Sequence, residues 1–103
     1  MLVIREVFNC KPGKVRPLVE KFQAMSKLME KGGAGKMRLL TDLSGVRYWT
    51  LVAEMEVESL AKFEAMMAGE GMNQDDGKKL DEIMKGYHDL VEKGHREVYK
   101  LEG

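Results

Sequence analysis

Four side chains suited to acid–base chemistry fall in stretches with the residue pattern of β-strands. Glu6 and Glu54 can take up a proton, Tyr48 can donate one, and Arg38 can stabilise a negative charge. A carboxylate in a cavity can acquire a raised pKa and act as a base. Each of these side chains also has a structural interpretation, since Glu6 can pair with Arg96 and Glu54 can lie at a solvated rim.

The histidines and the cysteine give little support to metal binding or nucleophilic catalysis. His88 and His95 are seven residues apart with Gly94 between them, and their spacing matches no zinc motif. Cys10 has only Lys11 as a neighbouring cation, whereas a reactive thiolate needs a positive environment. We therefore expect no metal and no other cofactor.

The composition excludes several classes of protein. Seventeen Lys and Arg residues balance seventeen Asp and Glu residues, so the net charge is +0 and the basic excess of a nucleic-acid-binding protein is missing. No apolar run approaches the ~20 residues of a membrane span, and the N-terminus lacks a signal-peptide pattern. A single cysteine cannot form an internal disulfide. We expect one cytoplasmic domain, residues 1–103, with neither a nucleic-acid nor a membrane partner.

Hydrophobic periodicity predicts the elements that carry these side chains. Each helix is bounded by a glycine signal: Gly32-Gly33 ends the first, Gly69 and Gly71 interrupt the second, and Gly94 caps the last. The predicted elements are a strand over 2–10, a helix over 14–31, strands over 36–43 and 46–57 joined at Ser44-Gly45, a helix that begins at Ser59, a helix over 74–93 and a strand over 95–101.

This order of strand, helix, strand, strand, helix and strand predicts an α+β fold of the ferredoxin-like type, with a four-stranded antiparallel sheet. The first and last strands are neighbours in that fold, and Arg5-Glu6-Val7-Phe8 is repeated as Arg96-Glu97-Val98-Tyr99. Opposite charges meet if Arg5 lies across from Glu97 and Glu6 across from Arg96. The repeat therefore predicts a register as well as a neighbour.

Helices cover one face of such a sheet, and the other face is predicted to be apolar enough to need a partner. We expect that open face to carry Ile4, Phe8, Leu40, Val52 and Val98, while Trp49 lies in the core. Contiguous exposed apolar groups indicate an interface, and a second copy is the commonest partner. The predicted cavity on this face is lined by Glu6, Phe8, Arg38, Tyr48, Thr50, Glu54 and Arg96.

The element order, the strand ending in Cys10-Lys11-Pro12-Gly13-Lys14, the amphipathic helix and the broken second helical region resemble a dimeric α/β-barrel protein. The chain most resembles small NIPSNAP-like and antibiotic-biosynthesis-monooxygenase-like domains, over essentially its whole length. The resemblance implies a homodimer with a ligand cavity in each half. It says less about chemistry, because the superfamily includes cofactor-free oxygenases, heme-degrading enzymes, isomerases, cyclases and proteins of no known activity.

The heme-degrading members use an Asn on the first strand, a Trp near the end of the third strand and a His in the second helical region. The sequence has Asn9, Trp49 and His88, but alignment on the Pro-Gly turn puts the family positions near Glu6, near Val57 and well before His88. The main prediction is therefore a homodimer that binds a small, partly apolar molecule. A cofactor-free monooxygenase or heme-degrading enzyme, and a dimer without ligand, are the alternatives.

Overall fold

A computed structural model describes residues 1–32, 35–70 and 72–103. It confirms the predicted order of elements, with the second helical region in two parts. Gly32 and Gly69 lie at helix ends as expected, whereas the predicted signals at Gly33 and Gly71 lie outside the described residues. The elements are β1 (Leu2–Cys10), α1 (Val15–Lys31), β2 (Met37–Thr41), β3 (Thr50–Val57), α2 (Leu60–Met67), α3 (Gln74–Met84), a 3₁₀ turn (Tyr87–Leu90) and β4 (Val91–Lys100).

The four strands form one antiparallel sheet in the order β2-β3-β1-β4. This is the predicted α+β ferredoxin-like arrangement, with the first and last strands adjacent. The predicted register between them is confirmed, because Arg5 lies opposite Glu97 and Glu6 lies opposite Arg96. Complementary charges at both positions stabilise this pairing against a slip of one residue.

The helices cover the face of the sheet that carries the even-numbered residues of β1. Phe8 lies against Phe22 of α1, with ring centroids 5.1 Å apart, and Cys10 is buried in the same core. Ile4, which is 1% exposed, shares this face with its cross-strand partner Val98. The prediction that Ile4, Phe8 and Val98 lie on the open face is therefore wrong. Strand β1 is apolar at Val3 and Val7 as well, so alternation alone did not identify the buried side.

The last helix ends earlier than predicted, and the last strand begins earlier. α3 ends at Met84, and Gly86 follows with a φ of 80°, a left-handed conformation that stops the helix. Lys21 of α1 binds the freed carbonyl oxygens of Ile83 and Lys85. Gly94 is not a helix cap but lies within β4, opposite Phe8.

The β2–β3 connection is longer than the predicted hairpin turn and spans residues 42–49. The Thr50 amide donates to Asp42 Oδ1 at 2.8 Å, and the Cys10 amide donates to the Trp49 carbonyl oxygen. Trp49 is held at a φ of 61° and is 44% exposed, so the prediction that it lies in the core is wrong. The side chains of Leu43 and Val46 are fully exposed on this loop.

Candidate functional site

A row of alternating charges crosses all four strands on the open face of the sheet. Arg38 of β2 lies opposite Glu54 of β3, Glu54 lies opposite Arg5 of β1, and Arg5 lies opposite Glu97 of β4. Arg38 donates a hydrogen bond to Glu54, and Arg5 Nε lies 3.3 Å from Glu54 Oε2. Arg5 Nη1 lies 3.6 Å from Glu97 Oε1. Arg5 therefore joins the glutamates of β3 and β4 into one row on the open face.

Glu97 connects this charge row to the side chains that follow it along β4. His95 Nε2 lies 2.8 Å from Glu97 Oε2, and the Tyr99 hydroxyl donates to Glu97 Oε1 at 3.0 Å. These hydrogen bonds, from His95 first and Tyr99 second, hold the pKa of Glu97 below its usual value. The hydrogen bond between Tyr99 and Glu97 raises the pKa of the Tyr99 hydroxyl, because the carboxylate holds the hydroxyl proton. Glu97 is therefore ionised at neutral pH and accepts from both neighbours.

A groove of about 510 Å³ lies beside the charge row. Its floor is an apolar row across the sheet, formed by Leu40, Val52 and Val7, with His95 next in line on β4. The 42–49 loop supplies one wall, and the loop is joined to β4 by an ion pair, 3.8 Å long, between Arg47 and Glu92. The groove thus combines an apolar surface with polar walls, which is the usual composition of a small-molecule site.

Asn9, Thr50 and Lys93 form the polar end of the groove. Asn9 lies between the other two in adjacent strands, and all three line the same space. Asn9 is only 6% exposed, and it lines this end of the groove. A side-chain amide has both donor and acceptor atoms and lysine has donors, so this end of the groove carries groups that can bind a polar part of a ligand.

The structure places the seven predicted cavity residues in three parts of the molecule. Arg38, Thr50 and Glu54 share the open face, and Thr50 lines the groove. Tyr48 lies on the 42–49 loop and lines a neighbouring recess together with Trp49.

The remaining three, Glu6, Phe8 and Arg96, lie on the helix-covered face, so their predicted place in the open-face cavity is wrong. Arg96 donates a hydrogen bond to Glu6 and lies over the ring of Phe63 of α2, 4.9 Å from its centroid. Glu6, Phe8 and Arg96 line a separate recess of about 420 Å³ beside the 3₁₀ turn. The cause is the wrong face predicted for β1. Glu6 lies on the same face of β1 as Phe8, and Arg96 is opposite Glu6, so all three residues move together to the helix-covered face.

The residues that sequence reasoning missed are concentrated on β4. The sequence pattern predicts a helix at Lys93 and leaves His95 and Glu97 outside the predicted cavity. The sequence does contain a pattern that could have identified them. Lys93, His95, Glu97 and Tyr99 are spaced two residues apart, so all four lie on one face of a strand that begins at Val91. Arg5 was identified as a partner of Glu97 but was not recognised as a residue of the open face.

Asn9, Trp49 and His88 do not come together. Asn9 lines the open-face groove, Trp49 lines the recess beside Gly13, and His88 lines the recess beside Phe8. This separation agrees with the mismatch in sequence position and gives no support to a heme-degrading site made of these three residues.

The structure also bears on the cysteine and on metal binding. Cys10 is buried, and burial, followed by the negative charge of Asp42, raises the pKa of its thiol. A protonated, buried thiol agrees with the interpretation of Cys10 as a small core residue. In the described part of the chain, no three His, Cys, Asp or Glu side chains are grouped so that they could hold a metal ion. The helices of that part include none with the length and apolar character to cross a membrane.

Comparison with solved structures identifies the same fold in several bacterial proteins. A protein from Agrobacterium tumefaciens is similar with a TM-score of 0.75 and 14% identity, covering 99% of this chain and 94% of that one. A NIPSNAP-like domain protein from Burkholderia xenovorans has a TM-score of 0.75 and 12% identity, covering 98% and 84%. A Deinococcus radiodurans protein, provisionally described as an antibiotic biosynthesis monooxygenase, has a TM-score of 0.70 and 11% identity, covering 100% and 94%.

These similarities confirm the expected resemblance at the level of fold. No protein-family model matches the sequence, and no curated protein matches it. At 11–14% identity the shared feature is the ferredoxin-like arrangement itself, so the chemistry of the groove has to be argued from its own residues.

Proposed function

We propose that the chain forms a homodimer through its open sheet faces and that each half binds a small, partly apolar molecule in the groove. The observation that carries the proposal is the apolar row of Val7, Leu40 and Val52, which no helix of the described ranges covers. Contiguous apolar groups on a sheet face mark a contact surface. Two such faces related by a two-fold axis would complete the dimeric α/β barrel that the sequence resembles.

The charge row beside the groove suits burial in such a contact. It contains two arginines and two glutamates, and each charge already has an opposite charge on the adjacent strand. Covering paired charges costs less than covering single ones, because each keeps its partner when water leaves. Leu43 and Val46 on the neighbouring loop are fully exposed and extend the apolar surface toward a second copy.

The groove supports ligand binding by its size and its polarity. Its volume of about 510 Å³ lies within the range of about 300–1,000 Å³ typical of small-molecule sites. The apolar row accommodates the body of a ligand, and Asn9 and Lys93 at one end accommodate a polar group. A cytoplasmic location belongs to the same proposal and rests on the single cysteine.

A cofactor-free enzyme is the second candidate, since the groove brings a histidine and an asparagine together. His95 and Asn9 both line it, on adjacent strands. One fold neighbour is provisionally described as a monooxygenase, which fits this candidate without identifying a substrate. A dimer without ligand, the third candidate, requires the partner's side chains to fill the groove.

Light scattering at micromolar concentration tests the dimer. We expect wild type to have twice the 11.7 kDa mass of one chain, and Leu40→Glu to shift the mass toward the monomer, because it places a charge in the apolar row. Leu60→Glu is the matched control, since Leu60 of α2 is similarly exposed but lies on a helix. A wild-type mass of one chain, or a monomer produced only by the Leu60 variant, contradicts the proposed interface.

Binding of the fluorescent apolar anion 1-anilinonaphthalene-8-sulfonate tests the groove. We expect saturable fluorescence enhancement in wild type and a loss of at least ten-fold in affinity in Val52→Trp, whose indole fills the floor. Val98→Trp is the control, because it makes the same change on the helix-covered face. Equal binding by both variants contradicts the assignment of the site to the open face.

A further inference from the structure

The groove contains a hydrogen-bonded set of titratable side chains that ligand binding alone does not require. His95, Glu97 and Tyr99 follow one another on the open face of β4, and Arg5 approaches the same carboxylate from β1. His95 and Glu97 line the groove. Two neighbours and one cation fix the position of Glu97, whereas His95 is hydrogen-bonded only on the nitrogen that faces Glu97 in the described structure.

We propose that His95 is a general acid–base residue, positioned by Glu97, that removes a proton from a carbon next to a carbonyl group in the molecule bound by the groove. This inference rests on the proposed binding function and adds a reaction to it. His95 is the catalytic residue because it faces the groove, and Glu97 is a positioning residue because it acts through His95.

The geometry determines which histidine nitrogen is available. An ionised carboxylate can only accept hydrogen bonds, so the nitrogen 2.8 Å from Glu97, Nε2, carries a proton. In the neutral ring the lone pair is then on Nδ1, which is free to accept a proton. A carboxylate that fixes the tautomer of a histidine and stabilises its protonated form is the arrangement that hydrolytic triads use.

Asn9 and Lys93 supply what the second half of the reaction needs. Removing a proton next to a carbonyl group moves negative charge onto the carbonyl oxygen. Asn9 lines the groove with a side chain that carries an amide N–H donor, and Lys93 lies directly opposite it on β4. His95 is opposite Val7, so it is a diagonal neighbour of Asn9, and such neighbours lie about 7–8 Å apart. A small molecule can therefore reach the base and the oxyanion donors together.

The reaction is balanced without an oxidant, a reductant or a metal. The C–H bond breaks, its proton moves to His95 Nδ1, and its electron pair forms a C=C bond while the carbonyl π electrons move to oxygen. The enolate oxygen is stabilised by the Asn9 amide and the Lys93 ammonium group. The imidazolium then returns the proton to the same carbon or to a conjugated one. Return to a different carbon gives an isomerised product of the same composition.

The substrate class follows from these contacts. The oxygen end meets Asn9 and Lys93, and the apolar row of Leu40, Val52 and Val7 holds the hydrocarbon part. The geometry therefore points to a small carbonyl compound that has an acidic C–H bond and an apolar body.

The test uses the probe 5-nitrobenzisoxazole. When a base removes the proton from its ring carbon, the ring N–O bond breaks and a coloured cyanophenolate forms. We expect wild-type dimer to turn it over faster than free imidazole at equal concentration, and His95→Gln to lower kcat about 100-fold. His88→Gln, which changes the other histidine of the chain, is the matched control and should leave kcat unchanged.

Glu97→Gln and Lys93→Met separate positioning from structure. Both substitutions should lower kcat several-fold while KM stays within two-fold of wild type. A third variant, His95→Ala, lacks the imidazole side chain, and we expect imidazole added to the solution to restore its turnover. Circular dichroism checks that each variant folds, and His95 is exposed enough for its replacement to be tolerated. A wild type that is dimeric and binds the anilinonaphthalene dye but shows no His95-dependent turnover overturns the acid–base role and leaves the binding function standing. A monomer that binds no dye overturns the proposed function itself.

Discussion

Glu6 and Arg96 join the first and last strands on the helix-covered face, and their environment determines how much the pair contributes to stability. Their side chains are 24% and 44% exposed, and Arg96 also lies over the ring of Phe63. Partly exposed ion pairs contribute about 0.2–1 kcal/mol, well below the ~3–5 kcal/mol lost when one partner of a fully buried pair is removed.

A double-mutant cycle with Glu6→Gln and Arg96→Met measures this contribution. The two residues are in contact, so we expect their effects on the free energy of unfolding to be non-additive, with a coupling of about 0.5–1 kcal/mol. Chemical denaturation of the four proteins gives the coupling. Strict additivity would mean that the hydrogen bond between them is not formed in solution.

Glu97 makes the stability of the fold depend on pH. Hydrogen bonds from His95 and Tyr99 lower its pKa in the folded chain. A carboxylate with a lowered folded pKa stabilises the fold above its unfolded pKa, about 4.3 for Glu, and loses that contribution as pH falls through the folded value. We therefore expect Glu97→Gln to be less stable than wild type at pH 7, with a difference that shrinks below about pH 4.

Urea unfolding at a series of pH values measures that difference. Glu64→Gln on α2 is the control, because the same neutralisation at an exposed helix position should leave the pH dependence close to that of wild type. A difference between wild type and Glu97→Gln that is the same at pH 7 and pH 3 contradicts the ionised, hydrogen-bonded role of Glu97.

At the scale of residues, the sequence repeat predicted which charges are opposite each other but not which face they occupy. Alternating charges are visible in one dimension, and Arg5 opposite Glu97 follows from them. The face does not follow, because Val3 and Val7 are as compatible with burial as Ile4 and Phe8. Packing against Phe22 decides it, and that contact joins residues distant in sequence.

At the scale of elements, β4 shows how tertiary pairing overrides local pattern. Tyr87, Leu90 and Val91 have helical spacing, yet the chain forms a 3₁₀ turn and then a strand. β1 is nine residues long and offers hydrogen bonds along its whole length, and β4 pairs with it from Val91 onward. The register shifts between Asn9 and Cys10, so β4 carries a bulge there, which a sequence pattern with strict alternation does not reveal.

Gly94 is a second constraint within β4. A Cβ atom at this position would lie 3.2 Å from the Val7 carbonyl oxygen and 3.3 Å from Phe8 Cδ1. We expect Gly94→Ala to lower the free energy of unfolding by about 1–3 kcal/mol, because the backbone oxygen cannot move without disturbing the β1–β4 pairing.

Gly77→Ala on α3 is the matched control for this prediction. The position is helical, and a Cβ atom there meets nothing within 4 Å. The substitution should raise stability by about 0.5–1 kcal/mol, because alanine is the better helix former. Thermal unfolding of both variants measures the contrast, and a stabilised Gly94→Ala protein would show that β4 does not approach β1 as described.

At the scale of the whole molecule, the fold class was predictable because it depends on the order and type of elements, which periodicity reveals. Strand β1 was placed correctly at both ends, since Lys11-Pro12-Gly13 is a strong stop signal. The groove was only partly predictable. Arg38, Thr50 and Glu54 were found on the open face, whereas Asn9, Lys93 and His95 depend on where β4 begins and on the face of β1.

The open face of the sheet carries both the proposed dimer contact and the proposed binding site. Val7, Leu40 and Val52 form the floor of the groove, and in the proposed dimer the bound molecule and the second copy cover them together. The same surface carries His95 and Asn9, so the proposed proton transfer would take place inside the proposed dimer.

A crystal structure of the full chain, grown without added ligand, would show directly whether the open faces meet and whether the groove is occupied. We expect two copies related by a two-fold axis, with their open faces together and Leu40 and Val52 buried between them. We also expect electron density for a small molecule over Val7, within hydrogen-bond distance of Asn9. Open faces that point to solvent would contradict the proposed dimer, and grooves filled by side chains of the protein itself would contradict the proposed binding site.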